Sequence, residues 1–304
     1  MEAQLLEILR CPLCGERLQD DGSQLACSGC LRTFERDGDV PLLFHDDLPG
    51  AREKKREMDG WVEKARSEGW YEPDDDLDRT LPWPDRERAG DEWLANAHSF
   101  SMFLDRYLEP GMRVLEVGAA KCWAAPHLIA RGCSYVGTDT LADPNIGLGR
   151  GAFYGDFPRV QADAEHLPFA DGAFDAAFCV ATLHHALDLD AMVHELARVT
   201  RPGGLVCALN EGTRGVFASV DSPEQEAEKQ LGINEHVHTV WAYVFAFVRA
   251  RLQIRRVERA EGWPLVGVGA AVAKLPKIGM TLGTLVHLSS GSYAGVSVYA
   301  RKRP

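Results

Sequence analysis

The chain has 304 residues and is 45% apolar, which predicts a globular protein of one or two domains. Its net charge of −12 is uneven: residues 1–50 hold 4 Lys/Arg against 10 Asp/Glu, and residues 249–304 hold 10 against 2. The acidic N-terminal part argues against a nucleic-acid partner, whereas the basic C-terminal part suits an anionic substrate or a solvated surface. We find no signal-peptide pattern and no apolar run long enough to span a bilayer, so we expect a cytoplasmic protein.

Two C-x-x-C pairs lie near the N-terminus, separated by 12 residues. They contain Cys11, Cys14, Cys27 and Cys30. Each pair can form a turn that offers two thiolates, and four thiolates around one ion favour a closed, structural zinc site. Residues 1–45 contain few apolar side chains, so we predict a zinc-ribbon module whose folding depends on the metal. Four ordinary thiols or two disulfides are the alternatives. The scattered cysteines, Cys122, Cys133, Cys179 and Cys207, are predicted to be small buried apolar residues.

Residues 46–90 are highly charged and dotted with proline, which predicts a linker or a mobile lid. Four aromatic residues interrupt this segment: Trp61, Trp70, Tyr71 and Trp83. Such residues either anchor a segment to the main body or line a binding cleft.

Residues 91–304 alternate between helical and strand-like patterns. An amphipathic helix is predicted over 91–108, ended by Pro110 and Gly111. Strands are predicted at 113–117, 135–139, 160–163, 174–180 and 205–210, with helices at 124–131 and 190–200. A sharp turn at 201–204 precedes the last of these strands. The alternation predicts an α/β fold, a Rossmann-like, doubly wound and mostly parallel sheet, preceded by the small zinc-ribbon module.

The C-terminal part continues this pattern with a helix and a strand over 240–260. Residues 263–290 are apolar and rich in glycine, and we predict an insertion packed on the core. An interface, a substrate cap and a membrane-surface element are the alternatives. The last strand is predicted at 293–302, beside the edge of the sheet.

The turn after the first strand of this sheet reads GAAKC over residues 118–122. A dinucleotide carries a pyrophosphate, which would need more glycine in this turn, so NAD is disfavoured. S-adenosylmethionine has no phosphate, and alanines can follow Gly118 if their φ angles stay negative. Asp139 ends the second strand, where a carboxylate can accept hydrogen bonds from both ribose hydroxyls. Glu116 is expected to add negative potential near the sulfonium.

In this region the sequence resembles the class I S-adenosylmethionine-dependent methyltransferases, of the type 11-like group. The resemblance rests on VLEVGAAKCW, YVGTDT, QADAEHLPF, FDAAFCVATLHH and LARVTRPGGLV, within residues 91–212. The alanines and the lysine after Gly118 depart from a family that commonly keeps more glycine there.

The resemblance implies a cofactor-binding set at the strand ends: Glu116, Gly118, Ala119, Asp139, Thr140, Asp163, Ala164, Cys179 and His184. The acid and the glycine of the turn would frame the methionine end, and Asp139 would bind the ribose. Asp163 and Ala164 would meet the adenine edge, with Cys179 under the methionine part and His184 as a wall of the pocket. Taken singly, each of the two aspartates is equally well explained as a cap residue.

The N-terminal pattern is similar to the small zinc-ribbon subunit that activates tRNA and release-factor methyltransferases. A zinc module also precedes the methyltransferase domain of a bacterial ribosomal-RNA guanine methyltransferase. These resemblances imply RNA-base methylation as a rival function.

Methyl transfer requires a positioned nucleophile and, for a hydroxyl or a protonated nitrogen, a group that takes its proton. His185 is predicted as a general base, and the alternative is a histidine that only makes structural hydrogen bonds. Glu211 closes the fifth strand, and His236 lies in the polar run NEHVH at 234–238. Both are predicted as a base or as ligands of a divalent ion at the active site.

We therefore expect an enzyme that transfers a methyl group from S-adenosylmethionine to oxygen or nitrogen of a small molecule or a sugar-containing metabolite. One alternative is an RNA (rRNA or tRNA) base methyltransferase, which the acidic N-terminal part disfavours. The other is a non-catalytic binding or scaffold protein that keeps the fold, which the altered turn after Gly118 suggests.

Overall fold

The computed structural model describes residues 3–85, 87, 92–216, 223–260, 267–276, 278–289 and 294–304. Parts of the segments predicted at 46–90, 91–108, 263–290 and 293–302 therefore lie outside the described residues.

The N-terminal part forms one short helix and five short strands. They are α1 (Ala3–Ile8), β1 (Leu18–Asp20), β2 (Leu25–Cys27), β3 (Thr33–Phe34), β4 (Arg36–Asp37) and β5 (Val40–Pro41). Strands β1, β2 and β3 form one antiparallel sheet, and β4 pairs with β5. Leu5 and Leu9 pack in the same apolar cluster as Phe169. The backbone N–H of Arg10 donates to Pro168 O, 2.8 Å away, so this part is docked on the rest of the protein.

The segment predicted as a linker or lid contains the helices α2 (Ala51–Glu68) and α3 (Asp75–Asp78). Helix α2 lies between two glycines with left-handed backbone, Gly50 and Gly69. At Gly60 a Cβ atom would lie 2.5 Å from Leu231 O, so only glycine permits this approach. Helix α2 therefore packs directly on the chain that precedes residue 234.

The main sheet has eight strands. The elements up to its middle are α4 (Glu92–Tyr107), β6 (Arg113–Val117), α5 (Ala125–Ala130), β7 (Ser134–Asp139), β8 (Arg159–Gln161), β9 (Phe174–Val180), α6 (Leu189–Val199) and β10 (Thr200–Arg214). The C-terminal elements are α7 (Pro223–Gln230), β11 (His238–Thr239), α8 (Val240–Arg249), β12 (Leu252–Arg259), α9 (Gly267–Ala273), α10 (Gly279–Ser289) and β13 (Ala294–Lys302). Short 3₁₀ helices lie at Leu148–Tyr154 and Leu183–His185.

The strand order is β12-β13-β10-β9-β6-β7-β8, and β11 pairs with the end of β10. Strands β8, β7, β6, β9 and β10 are mutually parallel, whereas β13 is antiparallel to both of its neighbours. Leu115 and Val117 pack in one apolar cluster and Val114 in another, because both faces of the sheet are covered. The predicted α/β fold with a mostly parallel sheet is confirmed.

The sharp turn predicted at 201–204 lies inside the bounds of β10, which begins at Thr200 rather than at the predicted residue 205. Between Thr200 and Leu205 the register against β9 slips from Phe174 to Ala176. The extra residues form a bulge in which Gly203 has a φ of +76°, and such a bulge needs no break in the strand.

The described part of residues 263–290 forms the helices α9 and α10. Leu285 and Leu288 of α10 are buried, whereas Leu282 and Val286 of the same helix are 36% and 39% exposed. The predicted insertion therefore packs on the core with one face only. The four scattered cysteines are buried, as predicted. Among the described helices, none combines the length and the apolarity needed to cross a membrane.

Candidate cofactor and acceptor site

The four N-terminal cysteines converge on one point. All four Sγ atoms lie within 4.8 Å of one another, with 3.6 Å between Cys11 and Cys30 and 3.4 Å between Cys14 and Cys27. A disulfide has an S–S distance of about 2.05 Å, so these thiols are not paired as disulfides. The arrangement is compatible with one tetrahedral zinc ion, for which four thiolates would leave no open position.

A cavity of about 750 Å³ lies at the carboxyl ends of β6 and β7. Six residues of the predicted cofactor-binding set line it: Glu116, Gly118, Asp139, Thr140, Asp163 and Ala164. The cavity lining does not include Ala119, Cys179 or His184. Four tryptophans also line the cavity, and we call this set the aromatic wall: Trp61, Trp70, Trp93 and Trp123.

Two of the four aromatic residues singled out in residues 46–90 belong to this wall. Trp61 and Trp70 line the cavity, whereas Trp83 packs edge-on against His127. The segment thus contributes to a cleft, which was one of its two predicted roles.

The turn after β6 closes tightly. Gly118 has a φ of +71°, and a Cβ atom there would lie 2.3 Å from Cγ2 of Thr182. Ala120 has a φ of +43° and Cys122 a φ of +61°, so the expectation that φ stays negative after the glycine is wrong. The backbone N–H of Ala120 donates to Oδ2 of Asp139 at 2.8 Å, and this bond holds the turn in that conformation. A left-handed residue other than glycine costs about 1–2 kcal/mol.

Asp139 also accepts a hydrogen bond from the N–H of Leu141, at 2.8 Å. Burial raises the pKa of the Asp139 carboxyl above its usual range, although the two N–H donors oppose this effect. Each carboxylate oxygen has a second lone pair, so the same side chain can stabilise the turn and accept from a ligand.

Glu116 lies almost completely buried beneath the same turn and accepts a hydrogen bond from the Tyr135 hydroxyl. Burial raises the pKa of Glu116 to about 8, and the tyrosine only partly offsets this. The carboxyl is thus mostly protonated near pH 7 without a ligand. The negative potential expected from Glu116 would require that a cation draw the proton off.

A buried ion pair occupies the predicted adenine side of the cavity. Lys54 Nζ of helix α2 lies 2.5 Å from Oδ1 of Asp163 and 3.1 Å from Oε2 of Glu165. Burial acts to raise the pKa of Asp163, but hydrogen bonds and charge from His166 and Lys54 lower it overall. The buried ion pairs of Lys54 therefore hold helix α2 against the strand ends, with little contact with water.

One helical turn further along α2, at Glu57, two histidines lie among three carboxylates. His184 Nδ1 lies 3.0 Å from Oε2 of Glu211, and His185 Nδ1 lies 3.0 Å from Oε1 of Glu57. The Nε2 atoms of both rings approach Oε2 of Glu235, at 3.7 and 3.8 Å. Four segments of the chain, at residues 57, 184–185, 211 and 235, thus meet at one place.

His185 lines the cavity. Burial opposes its protonation, but Glu57 and then Glu235 outweigh burial and raise the pKa of His185 to about 9. A protonated imidazole donates hydrogen bonds and cannot take a proton. The general-base role of His185 stays a prediction, and it requires that this proton first be displaced.

The other two predicted catalytic residues do not line the cavity. Glu211 is fully buried, and His184 lowers its pKa against the effect of burial. The His236 side chain is exposed, and only its backbone N–H reaches the cluster, donating to His184 O at 3.0 Å. Glu235, in the same polar run at 234–238, is the residue whose side chain enters the cluster.

Sequence reasoning missed the contribution of helix α2. Lys54, Glu57, Met58 and Trp61 all line the cavity. Their spacing of three, four and seven residues from the first is that of one helix face, so the periodicity could have identified them. The high charge of residues 46–90 instead suggested a linker or a lid.

Comparisons with known proteins add to this geometry. A family profile described as "Methyltransferase domain" matches residues 115–208. Residues 115–208 are therefore similar to a methyltransferase domain. A demethylmenaquinone methyltransferase from Mycolicibacterium vanbaalenii is 37% identical over 115 residues, which are 37% of this chain and 49% of that protein. The chain therefore spans about half the length of the curated relatives it matches.

Two solved structures share the fold of this chain. One is a chain from the complex between the Haloferax volcanii Trm112 methyltransferase activator and a protein described as a methyltransferase. It has 18% identity and a TM-score of 0.51, covering 82% of this chain and 98% of that one. The other is geranyl diphosphate C-methyltransferase from Streptomyces coelicolor A3(2), with 17% identity and a TM-score of 0.51, covering 72% and 88%.

Proposed function

We propose that the protein transfers a methyl group from S-adenosylmethionine to oxygen or nitrogen of a small molecule bound in the cavity. One observation carries this proposal: a single cavity of about 750 Å³ joins the strand-end residues of the methyltransferase domain to an aromatic wall. Small-molecule sites commonly have volumes of roughly 300–1,000 Å³ and aromatic linings.

The residues that line the strand-end part of the cavity suit a nucleoside without a phosphate. Asp139 and Thr140 would hold the ribose, and Asp163 and Ala164 would meet the adenine. The turn at Gly118 would frame the methionine end. This turn has a single glycine and a strained alanine, so it lacks the glycine-rich backbone with which a pyrophosphate is bound.

The chain's contribution to the reaction would be to orient the acceptor and to accommodate its proton. S-adenosylmethionine supplies the methyl group and keeps the electron pair of the broken C–S bond. Trp61 and Trp123, on the aromatic wall, would hold a planar acceptor against the donor. The proton of an attacking hydroxyl would leave toward the Glu57 carboxylate, which lines the same cavity, because His185 beside it already holds a proton.

The name of the relatives, demethylmenaquinone methyltransferase, supports a small-molecule acceptor over RNA. The acidic residues 1–50 point the same way, since they would repel a phosphate backbone. The zinc module would then stabilise the fold, because Leu5 and Leu9 pack against the sheet domain.

The test is to incubate zinc-loaded protein with S-adenosylmethionine and to measure S-adenosylhomocysteine release. The acceptor panels are hydroxylated aromatic compounds, amines, sugar-containing metabolites and bulk RNA. We expect release with a compound of the first three panels, and strongly reduced cofactor binding in Asp139→Ala. Release only with RNA, together with salt-dependent RNA binding, would favour RNA methylation. The absence of binding heat with S-adenosylmethionine would favour the scaffold role.

A further inference from the structure

We propose that His184, His185 and Glu235 bind one divalent transition-metal ion at the edge of the cavity. Metal binding itself does not depend on the proposed function, whereas the role we assign to the ion in the reaction rests on it. This ligand set differs from the pair Glu211 and His236 considered from the sequence.

The free nitrogens of the two imidazoles converge on one carboxylate oxygen. His184 Nε2 and His185 Nε2 lie 3.7 and 3.8 Å from Oε2 of Glu235, and one ligand atom from each residue lies within 4.8 Å of the others. Ligand atoms held about 2.1 Å from one ion are roughly 3–3.5 Å apart. The two nitrogens would therefore need to approach Oε2 of Glu235 by only a few tenths of an ångström, and the separation of all three ligand atoms is already under 4.8 Å.

Each histidine is also oriented as a metal-bound histidine usually is. A ligating imidazole almost always gives its other N–H to a carboxylate or a carbonyl group. Here His184 Nδ1 faces Glu211, and His185 Nδ1 faces both Glu57 and the backbone O of Asn234, each at 3.0 Å. A pair of ordinary surface histidines would not need both rings fixed in this way.

The backbone makes the arrangement rigid. The side-chain amide of Asn234 donates to His185 O at 2.7 Å, and the N–H of His236 donates to His184 O at 3.0 Å. Gln225 approaches the second oxygen of Glu235, with its Nε2 3.4 Å from Oε1. The loop after β9 and residues 234–236 are thus locked together before any ion binds.

The charges of the cluster also suit a cation. The side chains of Glu57, Glu211 and Glu235 are 13%, 0% and 11% exposed, so three carboxylates share a poorly hydrated space. Their repulsion can be relieved by protons on the two imidazoles or by a divalent ion between neutral imidazoles. Protonated imidazoles would form hydrogen bonds to Glu235, but its Oε2 lies 3.7 and 3.8 Å from the two Nε2 atoms, too far for such bonds, and this spacing favours the ion.

The site would face the acceptor. Three protein ligands leave coordination positions open, and His185 and Glu57 line the cavity. A bound ion would lower the pKa of an acceptor hydroxyl, so that its proton passes to water and the oxygen attacks the methyl group. The C–S electron pair stays on sulfur. The inference therefore narrows the acceptor atom to oxygen.

The mixed imidazole and carboxylate donors suit Mn²⁺, Fe²⁺, Co²⁺ or Zn²⁺. We choose Mn²⁺ as the probe, because thiolates are poor ligands for it and the four-cysteine site will not compete. Full-length zinc-loaded protein is titrated with MnCl₂, and free Mn²⁺ is counted by electron paramagnetic resonance.

We expect one bound Mn²⁺ per chain in the wild type and none in Glu235→Gln or His184→Ala. The matched control is His236→Ala, an exposed histidine next to the ligand, which should keep the ion. Glu57→Gln and Glu211→Gln should weaken binding by about 10–100-fold, because they remove only the orienting partners. Circular dichroism and retained zinc show that each variant is folded.

If the wild type bound neither Mn²⁺ nor a second zinc, the proposal would be overturned. The cluster would then be one of ion pairs between protonated histidines and carboxylates. Loss of the ion in His236→Ala, with binding intact in Glu235→Gln, would overturn the ligand set. A protein that binds Mn²⁺ but releases no S-adenosylhomocysteine would keep this site and refute the proposed function. Turnover that is unchanged when the ion is removed would refute only its role in the reaction.

Discussion

The four-cysteine site and the His–Glu cluster both gather side chains around one point, but the chain assembles them differently. Cys11 and Cys30 come from adjacent turns of a small module with short strands of two or three residues. The cluster joins helix α2, the loop after β9 and residues 234–235, which meet only because the large sheet has folded. We infer that a metal at the first site would stabilise the fold, whereas a metal at the second would be added to a fold already complete.

The largest effect should follow from breaking the module. In Cys27→Ser we expect loss of the bound zinc and protease cleavage within residues 10–45, since structural zinc contributes about 10–16 kcal/mol in zinc-finger peptides. The sheet should still unfold cooperatively, because its two apolar clusters are large. Limited proteolysis with mass spectrometry measures this. The control is Cys133→Ser, which changes a buried thiol outside the module. If residues 10–45 were cleaved at the same rate in both variants, the module would not depend on zinc.

The next effect tests how firmly helix α2 is held to the sheet edge. Lys54→Met leaves Asp163 and Glu165 buried without their cation, which should lower the free energy of unfolding by about 3–5 kcal/mol. Urea denaturation measures this change. Lys55→Met is the matched control, because Lys55 and Asp46 are exposed and such pairs contribute little to stability. Equal losses in the two variants would show that the burial of the pair is irrelevant.

A smaller loss is expected where the cofactor turn meets the loop after β9. Gly118→Ala combines left-handed strain with an overlap at Thr182, so we expect about 2–5 kcal/mol of destabilisation and loss of detectable cofactor binding. Gly111→Ala has a similar φ of +88° but open space around the Cβ, so it isolates the strain. Thermal unfolding and calorimetry measure both. Wild-type affinity in Gly118→Ala would remove the turn from the cofactor site.

The comparison explains what could be predicted from the sequence. The strands at 113–117 and 174–180 have the predicted bounds, because continuous apolar runs identify buried parallel strands. Asp139 and Gly118 were found because they follow strand ends, which meet at one edge of the sheet. The cysteines were found because their spacing alone sets the geometry.

Other parts of the site depend on contacts between distant segments. Lys54 reaches Asp163 across more than one hundred residues, and nothing near either residue in the sequence records that contact. The Glu235 side chain lies in the cluster and the His236 side chain is exposed, because the backbone N–H of His236 donates a hydrogen bond to His184 O. The sign of φ at Ala120 was wrong for the same reason, since it depends on a hydrogen bond to Asp139.

A weaker effect should appear as a pH dependence of cofactor binding. Burial raises the pKa of Glu116 to about 8, and a cationic ligand favours the ionised form. Below about pH 8 the carboxyl must lose its proton on binding, so affinity should rise with pH, by at most about 1.4 kcal/mol per unit, and level off above. Calorimetry at several pH values measures this. Glu116→Gln isolates the effect from titration of the ligand's own amino group, and an identical pH profile in that variant would exclude Glu116.

The smallest predicted effect lies in the turn itself. Ala120 holds a φ of +43°, which costs a non-glycine residue about 1–2 kcal/mol, and glycine would relieve that strain. Glycine also has more backbone freedom in the unfolded chain, which lowers the free energy of unfolding by about 0.4–1 kcal/mol and offsets part of this relief. Ala120→Gly should therefore raise the stability slightly, by about 0.5–1 kcal/mol, as an increase in Tm. If the alanine methyl packs against the bound cofactor, the same variant will bind S-adenosylmethionine more weakly despite its higher Tm. A fall in Tm without any change in affinity would mean that the backbone at Ala120 is unstrained, and that the turn tolerates alanine without cost.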